Sequence, residues 1–299
     1  MRAVKPVIIT SEKLISSNIP DTTLLEWNAA TVYSVGNQVT RSATHRIYTC
    51  LIAGSNSTPP EDSALLSTPR WADNGPTNRW AMFDNEVNTE STRTAPMVIV
   101  IKPGIINALA LININAVSVS VSMAVGGQVV YSASKNLDMS EITDWYQYFF
   151  GGFNMIHQAV FSDIPPYASA EITITIYGDS SVSVGGIIAG NTYYIGKTQY
   201  VPSIEITDYS VKSTDEYGVT RFKVRKSAKR MECSLLVSND RIDAVFSLVD
   251  SLRGGPSLWI GSDDFRLGLM TVFGWYSSFT VTLKYSKNSI CTTQIQGLT

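Results

Sequence analysis

Cysteine, histidine and charge are all scarce in this sequence of 299 residues, and each shortage closes off a class of function. Its three cysteines, Cys50, Cys233 and Cys291, are odd in number and far apart. They imply no disulfide framework and suit synthesis in a reducing compartment. No two Cys or His stand at Cys-x-x-Cys or His-x-x-x-His spacing, so neither a metal nor a cofactor is expected. The two histidines, His45 and His157, fall in different parts of the chain and read as structural. Charged residues make up 16% of the sequence, against about 25% in ordinary soluble domains. With 23 basic and 25 acidic side chains, the net charge of -2 gives no electrostatic case for nucleic acid or an anionic membrane. The basic residues from Arg221 to Arg230 alternate with Phe222, Val224 and Met231, as on a solvated strand face.

Long apolar runs are missing as well. Met97 to Val117 is the most apolar stretch, but Lys102-Pro103-Gly104, Asn107, Asn113 and Asn115 interrupt it. No transmembrane helix is expected there. The run after Met1-Arg2-Ala3-Val4-Lys5-Pro6 is too short for a signal peptide. Catalytic motifs are absent too: no Gly-x-Ser-x-Gly, His-Glu-x-x-His or Walker-type loop occurs. Glycosidases need two carboxylates about one bond. The close acidic pairs here are Glu61-Asp62, Asp84 with Glu86, and Asp263-Asp264, and each adjoins turn residues where acids cap or solvate loops. Asp84, Asn85 and Glu86 offer hard oxygens for calcium, yet a turn after Trp80-Ala81-Met82-Phe83 is the better reading. No catalytic residue is therefore expected, and the chain does not read as an enzyme.

What is present is β-patterning. Met97-Val98-Ile99-Val100-Ile101 reads as a buried strand, while Val117 to Val121 and Ile172 to Ile176 alternate with period two. Pro103-Gly104, Gly126-Gly127, Gly151-Gly152 and Gly185-Gly186 read as turns between short strands. The expected fold is all-β in four parts. An N-terminal arm spans 1–20, with an extended stretch over 7–19, and a small aromatic β-module spans 21–78. A jelly-roll or β-sandwich domain follows over 79–190, and a β-rich domain with one helix over 191–299. The helix is placed at about 239–253: Ser238-Asn239-Asp240 offers an N-cap, Ile242, Val245, Phe246, Val249 and Leu252 recur at helical spacing, and Gly254-Gly255-Pro256 stops it. Beyond it, Ser257 to Gly261, Leu267 to Trp275 and Phe279 to Tyr285 read as strands.

Half of the six tryptophans fall between Trp27 and Trp80. Gly36, soon after Tyr33, suits a turn with positive φ, and Gln38-Val39-Thr40 resumes the alternation. Trp and Tyr offer flat apolar faces with a polar edge, so this cluster is a candidate sugar platform. The competing reading makes Trp27, Tyr48 and Trp71 the module's own small core.

Trp27, Tyr33, Gly36, Val39, Tyr48 and Trp71 together resemble the small chitin-binding-type carbohydrate modules of chitinases. Such modules also recur in tailed-bacteriophage proteins after an arm like Leu14 to Pro20. The resemblance implies carbohydrate contacts at Trp27, Tyr33, Tyr48 and Trp71. Arg79 to Asn85, Thr89, Thr92 and Gly104 to Leu111 are similar to the opening of galactose-binding-like jelly rolls. Leu252 to Gly261, Val272 to Phe279 and Gln294 to Leu298 resemble segments of phage tail-tip and baseplate proteins. Together these resemblances imply a structural virion protein of a phage tail or baseplate. Its partners would be other virion proteins and further copies of itself, with host surface glycan as a secondary contact. The arm would add a strand to a neighbour's sheet. The alternative is a host-glycan adhesion protein, and a polysaccharide hydrolase is the third reading.

Overall fold

An alternating strand must bury one face, and the computed structural model shows where these faces go. It describes residues 1–55, 58–138, 145, 155–200, 202–262 and 265–298. Strands Met97–Ile101, Ser118–Val125 and Glu171–Tyr177 pair antiparallel. Ile99, Ile101, Val119, Val121, Ile172, Ile174 and Ile176 on their shared face are fully buried. Gln128–Asn136 and Leu14–Ser17 form the two edges of this five-stranded sheet. It packs on part of an eleven-stranded sheet, where Ala108–Asn115, Gln158–Phe161 and Ser181–Tyr194 contribute Leu109, Leu111, Phe161, Val182 and Val184 to the common core. The fold is all-β, with a β-sandwich at its centre.

The large sheet continues past the sandwich. Arg2–Pro6 lies between Ser181–Tyr194 and Ser257–Ile260, and the order then runs through Thr271–Thr282, Asn288–Gly297 and Ser227–Ser238. Ala3 and Val4 point to opposite faces and both are 0% exposed. Ala3 joins Trp259, Cys233 and Cys291, while Val4 joins Ala108, Ile188 and Leu258 across the sheet.

This placement corrects two expectations. The N-terminal segment 1–20 is not a free arm: Arg2–Pro6 and Leu14–Ser17 already complete sheets of their own chain, and Ile9 and Ile19 are buried. The division between 79–190 and 191–299 falls inside strand Ser181–Tyr194. One hydrogen-bonded layer takes strands from both sides of it.

The helix forms where its periodicity predicts. A 3₁₀ turn, Asn239–Arg241, leads into the helix Ile242–Ser251. Val245, Val249 and Leu252 are buried, and Gly254 ends the run at φ +83°. Phe246, on the same predicted face, is 56% exposed. Ser238 makes no side-chain cap. Instead the Asn239 amide donates to the Tyr285 and Ser286 carbonyls and accepts from Ser289 Oγ, which ties the helix start to the neighbouring hairpin.

Gly126 and Gly127 both take positive φ and close the hairpin between Ser118–Val125 and Gln128–Asn136. Gly185-Gly186, expected as a turn, lies inside strand Ser181–Tyr194. A Cβ on Gly185 would collide with the Val87 carbonyl oxygen and with Asn113 Cβ, so glycine permits close approach there. The strand expected from Leu267 begins at Thr271, after the 3₁₀ segment Phe265–Met270. Gly151-Gly152 and Asp263-Asp264 lie outside the described residues.

Candidate functional site

Residues 21–76 form an inserted module whose entry and exit are stapled together. Asn78 donates to the Pro20 carbonyl, and the Arg79 guanidinium donates to the Ile19 carbonyl. Inside, Gln38–Arg41, Arg46–Cys50 and Trp71–Pro76 make a three-stranded sheet, and Gly36 turns at φ +89° as expected. The helix Pro60–Ala64 places Glu61 against Arg41, whose Nε and Nη2 both donate to it at 2.7–3.2 Å. That hydrogen bonding holds the Glu61 carboxyl below its ordinary pKa.

The predicted sugar platform is the module's core. Trp71 and Tyr48 are 1% and 2% exposed, and Tyr33 is 8% exposed. Tyr33 meets Trp71 edge-on at 5.1 Å, and its hydroxyl accepts from the Asn28 amide at 2.8 Å. Trp27 packs against this cluster with the Arg41 guanidinium 5.0 Å from its ring centre. Rings so enclosed have no face to offer a saccharide, which corrects the assignment of Tyr33, Tyr48 and Trp71. Trp27 is half-buried beneath Arg41 and does not stand on an open platform.

Beside this core lies a groove of about 390 Å³ between the module and the strand frame. One wall is the His45 imidazole stacked on Trp80, with centroids 3.7 Å apart and planes 7° from parallel. His45 sits at φ +56° at the end of the loop between Gln38–Arg41 and Arg46–Cys50. Its amide donates to the Arg41 carbonyl, and its own carbonyl accepts from the Thr77 amide. Its Nε2 lies 2.9 Å from Ser11 Oγ, on the frame. Burial lowers its pKa from the ordinary 6.5.

Arg79 pairs with Asp21 at 3.7 Å, and Arg41, held chiefly by Glu61, also reaches Glu26 at 3.5 Å. Thr77 lines the groove at 4% exposure, and its Oγ1 has no hydrogen-bond partner among the described residues. The sequence reading missed this site because Ser11, His45 and the turn from Thr77 to Trp80 are distant from one another in the chain. The positive φ of His45, a non-glycine residue, is visible only in the folded backbone.

Other candidates are occupied structurally. The Asp84 carboxylate accepts from the Glu86 amide and the Thr89 hydroxyl, as a loop cap does, and burial raises its pKa. His157 Nδ1 lies 3.0 Å from the Ile114 carbonyl oxygen. Among the described residues no three His, Cys, Asp or Glu stand together as a metal set, and no helix is long and apolar enough to cross a membrane. No protein-family model and no curated protein matches this sequence.

Proposed function

We propose that this chain is a structural subunit of a phage-tail or baseplate-type particle, which holds its neighbours through the hairpin over residues 209–226. The observation that carries this reading is the hairpin's isolation. Val211–Thr214 and Thr220–Lys223 pair only with each other, and every residue of both strands is exposed. Phe222, Val224 and Tyr217 are 64%, 84% and 88% exposed. A lone two-stranded hairpin is marginal in water, and apolar rings on one suit burial against a partner.

The partner proposed is the module of a second copy of this chain. Residues 209–226 hold five basic and two acidic side chains, whereas 21–78 hold five acidic and three basic. A head-to-tail contact between unlike patches propagates through an assembly, as rings and stacked tubes require. The low overall charge fits the same role.

Replacing residues 211–223 with a short Gly-Ser link tests it. The variant should keep the thermal midpoint of the parent and lose higher oligomers in sedimentation velocity at low salt. Unchanged assembly by a folded variant would rule out the hairpin as the docking element.

A further inference from the structure

We propose that the cavity where the eleven-stranded sheet curls back on itself binds a small carboxylate with an apolar body. Gln158–Phe161 and Ser227–Ser238 stand near opposite ends of that sheet's strand order, yet residues of both line one cavity of about 330 Å³. The Gln158 side-chain amide donates to the Gly268 carbonyl just ahead of Thr271–Thr282, which helps to hold the ends together. The volume lies within the usual range of small-ligand sites. None of residues 209–226 lines it, so the site is independent of the assembly contact.

The floor of the cavity is apolar. Val87, Ile112 and Leu298 line it and pack against the buried cluster that holds Phe273, which lines it too. The charge beside this floor is unmatched. Lys229 belongs to the lining, and among the described residues its ammonium has no hydrogen bond and no ion pair. No described Asp or Glu lines the cavity, and Glu90 accepts from Asn113 Nδ2 at 2.8 Å from outside the lining. His157, the other titratable group of the lining, has Nδ1 engaged 3.0 Å from the Ile114 carbonyl oxygen.

The Lys229 side chain is open to solvent, yet the protein around its ammonium lowers its pKa. A cation inside an open concavity has both properties, whereas one on a convex surface keeps its ordinary value. A bound carboxylate would supply the counter-charge that Lys229 lacks, and an apolar body would cover the floor. One unmatched positive charge suits one negative charge, so a carboxylate fits better than a phosphate ester, which carries about two at pH 7.

Hexanoate and benzoate probe the intact chain by calorimetry, with hexanamide, benzamide and inorganic phosphate as comparisons. Each acid should bind at least about tenfold more tightly than its amide and than phosphate. Lys229→Met keeps the stem and removes the charge, so with folding checked by circular dichroism it should bring each acid down to the affinity of its amide. A footprint on the parent chain needs no variant. Limiting reductive methylation, read by mass spectrometry, should show hexanoate slowing the labelling of Lys229 severalfold and leaving the exposed Lys212 and Lys223 unchanged. Equal binding of acid and amide, phosphate binding as tight as hexanoate, an acid preference that survives Lys229→Met, or no protection of Lys229 would overturn the assignment.

Discussion

At the scale of single residues, burial decides which aromatics hold the module together and which can meet a ligand. Trp71 fills the module core between Tyr33, Tyr48 and Val39, so its loss is a loss of packing. Trp71→Ala should cost about 3–5 kcal/mol in urea denaturation followed by tryptophan fluorescence. A sugar-stacking Trp71 would instead leave the midpoint unmoved.

His45 carries a pH dependence of definite sign. Its folded pKa lies below the ordinary 6.5, so the unfolded chain binds the extra proton between the two values. Stability is therefore fully present above the ordinary value and falls as pH drops towards the folded one. Thermal midpoints of the parent should decline from pH 7.5 to pH 5. His45→Asn, which suits the left-handed backbone, should decline less. Equal slopes would show that His45 does not govern this range. The aromatic spacing was legible as a module, and Gly36 as its turn. Which rings were enclosed was not, because period and spacing do not report what packs on the second face.

At the scale of elements, pattern was legible wherever one principle acted alone. Alternation marks Met97–Ile101 and Glu171–Tyr177, and a helical period with a glycine stop marks Ile242–Ser251. It misled where two principles compete for the same residues. Gly185-Gly186 has the composition of a turn but serves a strand crossed closely by Val87 and Asn113. Ser238 has the chemistry of a cap, yet Asn239 anchors the helix start to residues 285–289. Both outcomes depend on partners distant in sequence. The N-terminal strand is the same lesson with larger consequence. Val4 and Ala3 look like part of an extended arm, and only the flanking strands reveal them as the middle of a sheet.

At the scale of the whole molecule, that strand makes the sandwich and the helix-bearing region mechanically one body. Arg2–Pro6 pairs with Ser181–Tyr194 on one side and Ser257–Ile260 on the other, and no side chain of Ala3 or Val4 reaches solvent. Removing residues 1–10 would open two ladders at once and expose Trp259, Leu258 and Ile188, which lie against Ala3 and Val4 in their clusters. The truncated chain should then expose apolar surface, bind a hydrophobic dye and aggregate, whereas a dispensable arm would leave it folded. A synthetic peptide of residues 1–10 supplied in trans makes the test specific. The slot between the flanking strands offers backbone partners on both sides, so the peptide should restore solubility and the parent's circular dichroism. The same peptide with Val4→Asp should not, because it would bury an unpaired carboxylate among Ala108, Ile188 and Leu258. Restoration by both peptides would mean that the strand contributes backbone hydrogen bonds alone. Restoration by the native peptide only would show that two-sided packing of Ala3 and Val4 joins the halves of the fold.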